Sequence, residues 1–189
     1  MVQIKFLLTA FAVATLAACG GGGGGSAASP VVSVSGIATK GLINKGNIEV
    51  LLVDASGSLT SFKKYEAITD AGGNYVINDV PAGSTVVLKV TATPGTTTLI
   101  DEATGTTIDA PSDLLMQSGL KLSETAGATN SAVIDVFSNM AVEQVKQNGG
   151  VYTSAKLEAA NAAVGNQFGV NMSETPVFSA DGTKVQNNR

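Results

Sequence analysis

The chain has 189 residues, a net charge of −4 and only 14% charged residues, with no histidine, no tryptophan and a single cysteine. That charge leaves no basic footprint for nucleic acid or for anionic lipid. Without histidine the usual general base near neutral pH and the commonest zinc ligand are missing, so the composition argues against an enzyme, and no cofactor or metal is expected.

In chain order, Lys5 precedes an apolar stretch from Phe6 to Ala18, the layout of a secretory signal and too short for a membrane span. The stretch closes in Leu16-Ala17-Ala18-Cys19, which is similar to the bacterial lipobox. The resemblance implies a signal peptide over residues 1–18, cleavage between Ala18 and Cys19, and lipidation of Cys19, the only thiol in the chain. Acyl chains stabilise membrane attachment by about 0.8 kcal/mol per buried methylene, so such a product is anchored to a membrane without a spanning helix. Residues 19–30 follow with six consecutive glycines, Gly20 to Gly25, then small residues, and read as a flexible tether. No Lys-Ser or Lys-Thr closes the glycines, which excludes a phosphate loop. By the same resemblance, Gly20 rather than an aspartate after the lipidated cysteine implies the outer membrane of the cell envelope, with the leaflet open.

About 160 residues remain, enough for one domain of ordinary size. From Val31 to about Thr93 apolar residues alternate: Val32 and Val34, then Ile48, Val50 and Leu52, then Tyr75 and Ile77, then Val86, Leu88 and Val90. Turn signals separate them at Asn44 to Gly46, Asp54 to Gly57, Asp70 to Asn74, Pro81 to Gly83 and Pro94-Gly95. Short strands with turns this frequent predict an antiparallel β-sandwich with an aliphatic core. Ser35-Gly36-Ile37, Gly46-Asn47-Ile48, Thr69-Asp70-Ala71-Gly72-Gly73-Asn74-Tyr75 and Val80-Pro81-Ala82-Gly83 resemble the carboxypeptidase regulatory-like domain family over residues 31–93. The resemblance implies a transthyretin-like (prealbumin-like) β-sandwich. Physically, Asp70 closes an Asx turn, Gly72 and Gly73 accept positive φ, and Tyr75 starts the next strand pointing inward. The family's aromatic after the turn glycine is absent at Gly83-Ser84-Thr85.

Several constellations carry sharper chemistry and lose to blander readings. Asp70, Asn74 and Asp79 offer too few carboxylates for a calcium loop. Lys89 and Glu49, on neighbouring expected strands, are ingredients of an internal isopeptide bond, but a strand lysine is usually solvent-facing. Asp101, Glu102, Asp109 and Asp113 form the densest acidic group and, without an aromatic platform, read as a solvated loop rather than a glycosidase pair. Ser61/Lys64 and Ser118/Lys121 have the Ser-x-x-Lys spacing without the companion elements of an acyl-transfer site.

Residues 94–129 are Thr-, Ser- and Asp-rich, with Thr96 to Ile100 and Thr106 to Ile108 suited to an edge hairpin and Leu114 to Leu122 as a further apolar piece. At about Asn130 the period becomes helical. Val133, Val136, Phe137, Met140 and Val145 share one side of a first helix ended by Gly149-Gly150; Thr153 or Ser154 caps a second, with Leu157, Ala160, Val164 and Phe168 on one face and Gly169 at its end. This predicts an α-helical hairpin over 130–170 and a polar tail over 171–189. The hairpin's apolar stripes need a cover: the sandwich, another chain, or a continuation beyond Arg189.

The expected function is that of a membrane-anchored envelope lipoprotein, a non-catalytic structural or protein-binding module held by Cys19. The alternatives are carbohydrate binding, for which Tyr65 and Tyr152 are the candidate ligand-contact aromatics once Tyr75 is assigned to the core, and the front part of a longer lipoprotein.

Overall fold

A computed structural model describes residues 29–172 and, by backbone pairing alone, Val177–Phe178 against Val185–Gln186. In chain order the elements are β1 (Val31–Ala38), β2 (Ile43–Asn44), β3 (Asn47–Val53), β4 (Leu59–Ile68), β5 (Asn74–Pro81), β6 (Thr85–Thr91), β7 (Thr98–Ile100), β8 (Thr107–Asp109), β9 (Leu115–Lys121), β10 (Thr129–Ile134), α1 (Val136–Gln147) and α2 (Ser154–Phe168).

Two sheets make the sandwich. One has the order β10-β1-β5 and the other β4-β3-β6-β9, while β2-β7-β8 forms a small satellite sheet. Alternation explains which side chains face inward: Val32, Val34, Tyr75 and Ile77 from the first sheet meet Ile48, Val50, Val86, Leu88, Val90 and Met116 from the second in one aliphatic core. Tyr75 points inward as expected, and its hydroxyl donates to the Ala132 carbonyl at 2.7 Å while burial pushes its pKa up. Gly36 lies under that contact. A Cβ there would sit 1.7 Å from the Ala132 carbonyl oxygen, so only glycine fits where β1 and β10 approach.

The helices lie on the sandwich. On the outer face of the four-stranded sheet, Val87 with Leu51, Val53 and Leu59 packs against Ala141, Val142 and Val145 of α1 and Leu157, Ala160 and Val164 of α2. α2 comes closest at Gly119, where a Cβ would stand 2.5 Å from the Leu157 Cδ2 and where the Asn161 amide donates to the Gly119 carbonyl at 3.1 Å. The connection between the helices is seated on the β3–β4 turn, with the Tyr152 N–H donating to the Gly57 carbonyl at 2.9 Å.

Four expectations are corrected. The sandwich does not stop at residue 93, because β9 pairs with β6 along its whole length and β10 completes the other sheet; of the 94–129 segment only β7–β8 is the expected hairpin. The pairing is not wholly antiparallel, since β10 runs parallel to β1 from Ser33/Thr129 to Ala38/Ile134. The helical hairpin does not begin at 130: Thr129–Ile134 is a strand, its β-branched Thr129, Val133 and Ile134 suiting the slot beside β1, and Asp135 caps α1. The first helix's buried face is also rotated. Val136 and Met140, expected inside, are 47% and 38% exposed; Val145 is buried as expected, and Ser138, Ala141 and Val142 are buried with it. α2 agrees with its expected face at Leu157, Ala160 and Val164; Thr153 caps it and Gly169 ends it at φ 65°, whereas Phe168 is 43% exposed and meets the Phe137 ring in a tilted contact at 5.4 Å.

Asp135 makes a capping box. Its carboxylate accepts from the Ser138 N–H at 2.7 Å, and its own N–H donates to the Ser138 hydroxyl at 2.9 Å. Burial pushes the carboxyl above its ordinary range, outweighing the hydrogen bonds from Ser138 and Phe137.

Three outcomes test this arrangement. Gly119→Ala is expected to cost about 1–3 kcal/mol of stability in denaturant titrations, and Leu157→Ala in the same chain is expected to make the pair less damaging than the sum. For Asp135 the folded pKa lies above the unfolded one, so protonation favours the folded state. The stability of the wild type relative to Asp135→Asn, which keeps the cap acceptor, should therefore improve as pH falls through the raised pKa toward about 4. Asp135→Ala should cost about 1 kcal/mol at neutral pH.

Candidate functional site

Cys19, Ala18 and the glycine tether lie outside the described residues. Within them, polar chemistry is concentrated in the turns and on the part of the four-stranded sheet's outer face that the helices leave uncovered.

Three turns share one device. Asp70 accepts from the N–H groups of Gly72 and Asn74 at 2.8 Å each, Asp54 from those of Ser56 and Ser58 at 2.8 and 2.9 Å, and Asp101 from those of Ala103 and Thr104 at 3.0 and 2.7 Å. These bonds hold each carboxyl below its ordinary range, chiefly through the Asn74 N–H at Asp70 and the side-chain hydroxyls of Ser56 at Asp54 and Thr104 at Asp101. The carboxylates thus serve as turn closures. The Asp70 oxygens considered for calcium are turned onto backbone and the Asn74 amide, while Asp79, at φ 60°, sits in a bulge of β5. No group of three or more potential metal-ligating His, Cys, Asp or Glu side chains occurs among the described residues.

The acidic group of the 94–113 stretch is divided in the same way. Asp101 closes its turn, and Glu102 accepts from the Gly41 N–H at 2.7 Å, tying the loop after β7 to the loop after β1.

On the outer sheet face the register places Glu66, Glu49, Lys89 and Gln117 side by side across β4, β3, β6 and β9. The Lys89 ammonium pairs with the Glu49 carboxylate, and the Ser61 hydroxyl donates to the same carboxylate. Burial pushes Glu49 up, but the hydrogen bonds from Lys89 and Ser61 and the lysine's charge together hold it below the ordinary glutamate range. Beside this pair runs an open trough of about 500 Å³ lined by Asn47, Ile48, Glu49, Glu66, Ala67, Ile68 and Thr91. A carboxylate kept ionised by a lysine is a poor base for a serine, because general-base catalysis favours a pKa near the working pH. The cluster is suited to fixing strands and to polar contact.

Lys89 does face Glu49, as an isopeptide needs, yet no asparagine or aspartate side chain bonds its ammonium among the described residues. Neither Ser-x-x-Lys pair meets. Ser61 turns to Glu49 while Lys64 lies 4.6 Å over the Tyr65 ring; Ser118 is buried while Lys121 reaches the Gly83 carbonyl and Glu124.

The two tyrosines considered for ligand contact are structural. Tyr65 is 2% exposed, its ring in the sandwich core, because four residues of β4, Phe62 to Tyr65, stand opposite the single Val50 and the bulge turns the ring inward. Tyr152 is 7% exposed and belongs to the helix–sheet core. Ser61 and Glu66 escaped notice as partners of Glu49 because only the pairing of β4, a strand without regular alternation, brings them there.

No protein-family model matches the chain, and no curated protein is significantly similar to it.

The Glu49–Lys89 pair is partly exposed, so its coupling should be modest. A double-mutant cycle with Glu49→Gln and Lys89→Met is expected to give about 0.5–1 kcal/mol, shrinking as salt is raised.

Proposed function

We propose that the protein is an envelope lipoprotein, anchored to the outer membrane through Cys19, whose β-sandwich acts as a non-catalytic structural or protein-binding module of the carboxypeptidase regulatory-like, transthyretin-like kind. The observation that carries this reading is the sequence Leu16-Ala17-Ala18-Cys19 followed by six glycines, with the first strand of the folded domain beginning only at Val31. Acyl chains localise the domain, and the glycines give it reach. Further support comes from the polar groups, which are spent on turns and on the Glu49–Lys89–Ser61 cluster. The turns at Asp70 to Asn74 and at Pro81 to Gly83, which carry the family resemblance, border β5 on its two sides. No helix among the described residues is long and apolar enough to cross a membrane, so attachment in this reading rests on the lipid.

Carbohydrate binding gains nothing from the fold. Sugar sites stack on exposed aromatic faces, and both candidate rings are buried.

The test is the intact mass of membrane-extracted protein expressed in a two-membrane bacterium, wild type against Cys19→Ser. The expected result is a mature chain beginning at Cys19 with acyl additions that the variant lacks. An unlipidated, soluble wild type would overturn the anchor.

A further inference from the structure

The connection between the helices holds a reactive dipeptide. Asn148 is the one asparagine in the chain followed by glycine. It is the exposed C-cap of α1, and its own N–H donates to the Gln144 carbonyl at 3.1 Å. Gly150 donates to the Val145 carbonyl at 3.2 Å. Between these two anchored amides, the Gly149 N–H has no acceptor among the described residues, and neither has the Asn148 side-chain amide. Gly149 is exposed, its φ is 100°, and a Cβ built on it would meet nothing within 4 Å.

We propose that Asn148 is a site of spontaneous deamidation through Gly149. The Gly149 amide nitrogen attacks the Asn148 side-chain carbonyl carbon and loses its proton; the bond from that carbon to the side-chain nitrogen breaks, and ammonia leaves. The product is a five-membered succinimide. Water then adds to either of its two carbonyls and opens the ring to aspartate or isoaspartate, so the only co-reactant is water. Three features favour attack here: the nucleophilic amide has no hydrogen bond to surrender, the following residue has no side chain to block the approach, and the surroundings leave room to close the ring. The other asparagines of the described region are followed by residues with side chains. Several are also tied down, as are Asn130, which bonds the Ser123 N–H and the Ser33 carbonyl, and Asn161, which bonds the Gly119 carbonyl.

The products strain the place where they form. A new carboxylate stands at the C-terminal end of α1, where the helix dipole disfavours an anion. Isoaspartate also adds a methylene to the backbone of the connection that seats Tyr152 on Gly57. Ageing at this residue therefore loosens the docking of the helix pair.

The test is to hold detergent-extracted full-length protein at mildly alkaline pH and follow the tryptic peptide spanning 147–156 by mass spectrometry. The expected result is first-order gain of the mass that converts an amide to an acid, with aspartate and isoaspartate forms separating, faster than at any other asparagine peptide. Gly149→Ala should slow it several-fold, and Asn148→Ser, which lacks the leaving group, should hold a constant mass in that peptide even if the alanine strains the loop. Conversion of Asn148 no faster than of Asn44 or Asn130 would overturn the proposal.

Discussion

Strand β6 has Val86, Val87 and Leu88 in succession at 0% exposure, which is only possible if the sheet it belongs to is covered on both faces. Val86 and Leu88 enter the core between the sheets, and Val87 enters the core beneath the helices. This double cover governs the rest of the molecule. Two helices of 12 and 15 residues are marginal alone in water, so they persist here because the sheet offers an apolar surface. The sheet in turn must be smooth where they land, which is the role of Gly119 on β9 and of the small residues Ala141 and Ala160 facing it. Because one set of strands forms the wall of both cores, a disturbance on either side is felt on the other.

The helices cover only part of that face, and the remainder carries Glu66, Glu49 and Lys89, the row ending at Gln117, which is buried beside α1. An exposed stretch of sheet needs polar side chains to stay solvated, and its edges need to refuse further strands. β4 meets the second need with its bulge and with Lys63 and Lys64 at the rim, and β5 does so with the bulge at Asp79. The aspartate-closed turns add order to the loops without any buried charge.

Much of this is written locally in the chain. The alternation of Val32 and Val34, of Ile48 and Val50 and of Val86, Leu88 and Val90 fixes those strands and their inner faces, and Asp70, Thr153 and Gly169 mark a turn, a cap and a helix end by chemistry that acts within a few residues. What was not legible depends on partners far away. β4 has its apolar residues out of alternation, at Leu59, Phe62, Tyr65, Ala67 and Ile68, because of a four-residue bulge, and with the alternation the neighbours Ser61 and Glu66 of Glu49 are lost. β10 reads as helix because Val133, Val136 and Phe137 fall at helical spacing; the vacant edge of β1 decides for strand, and the actual helix then starts later and turns Val136 and Met140 outward. Tyr65 and Tyr152 looked available for the same reason, since burial belongs to the packed layers rather than to the residue.

The parallel pairing of β1 with β10 joins Ser33 to Thr129 and Ala38 to Ile134. A chain made from its N-terminus delivers β1 first among the strands of the sandwich and β10 last. β5 can flank β1 midway through synthesis, but the opposite edge has to wait until nearly the whole domain has emerged, and contacts of such sequence separation form slowly. The first strand of the sandwich is thus also the last to be enclosed, and until then it presents an open, valine-rich edge to whatever else is unfolded nearby.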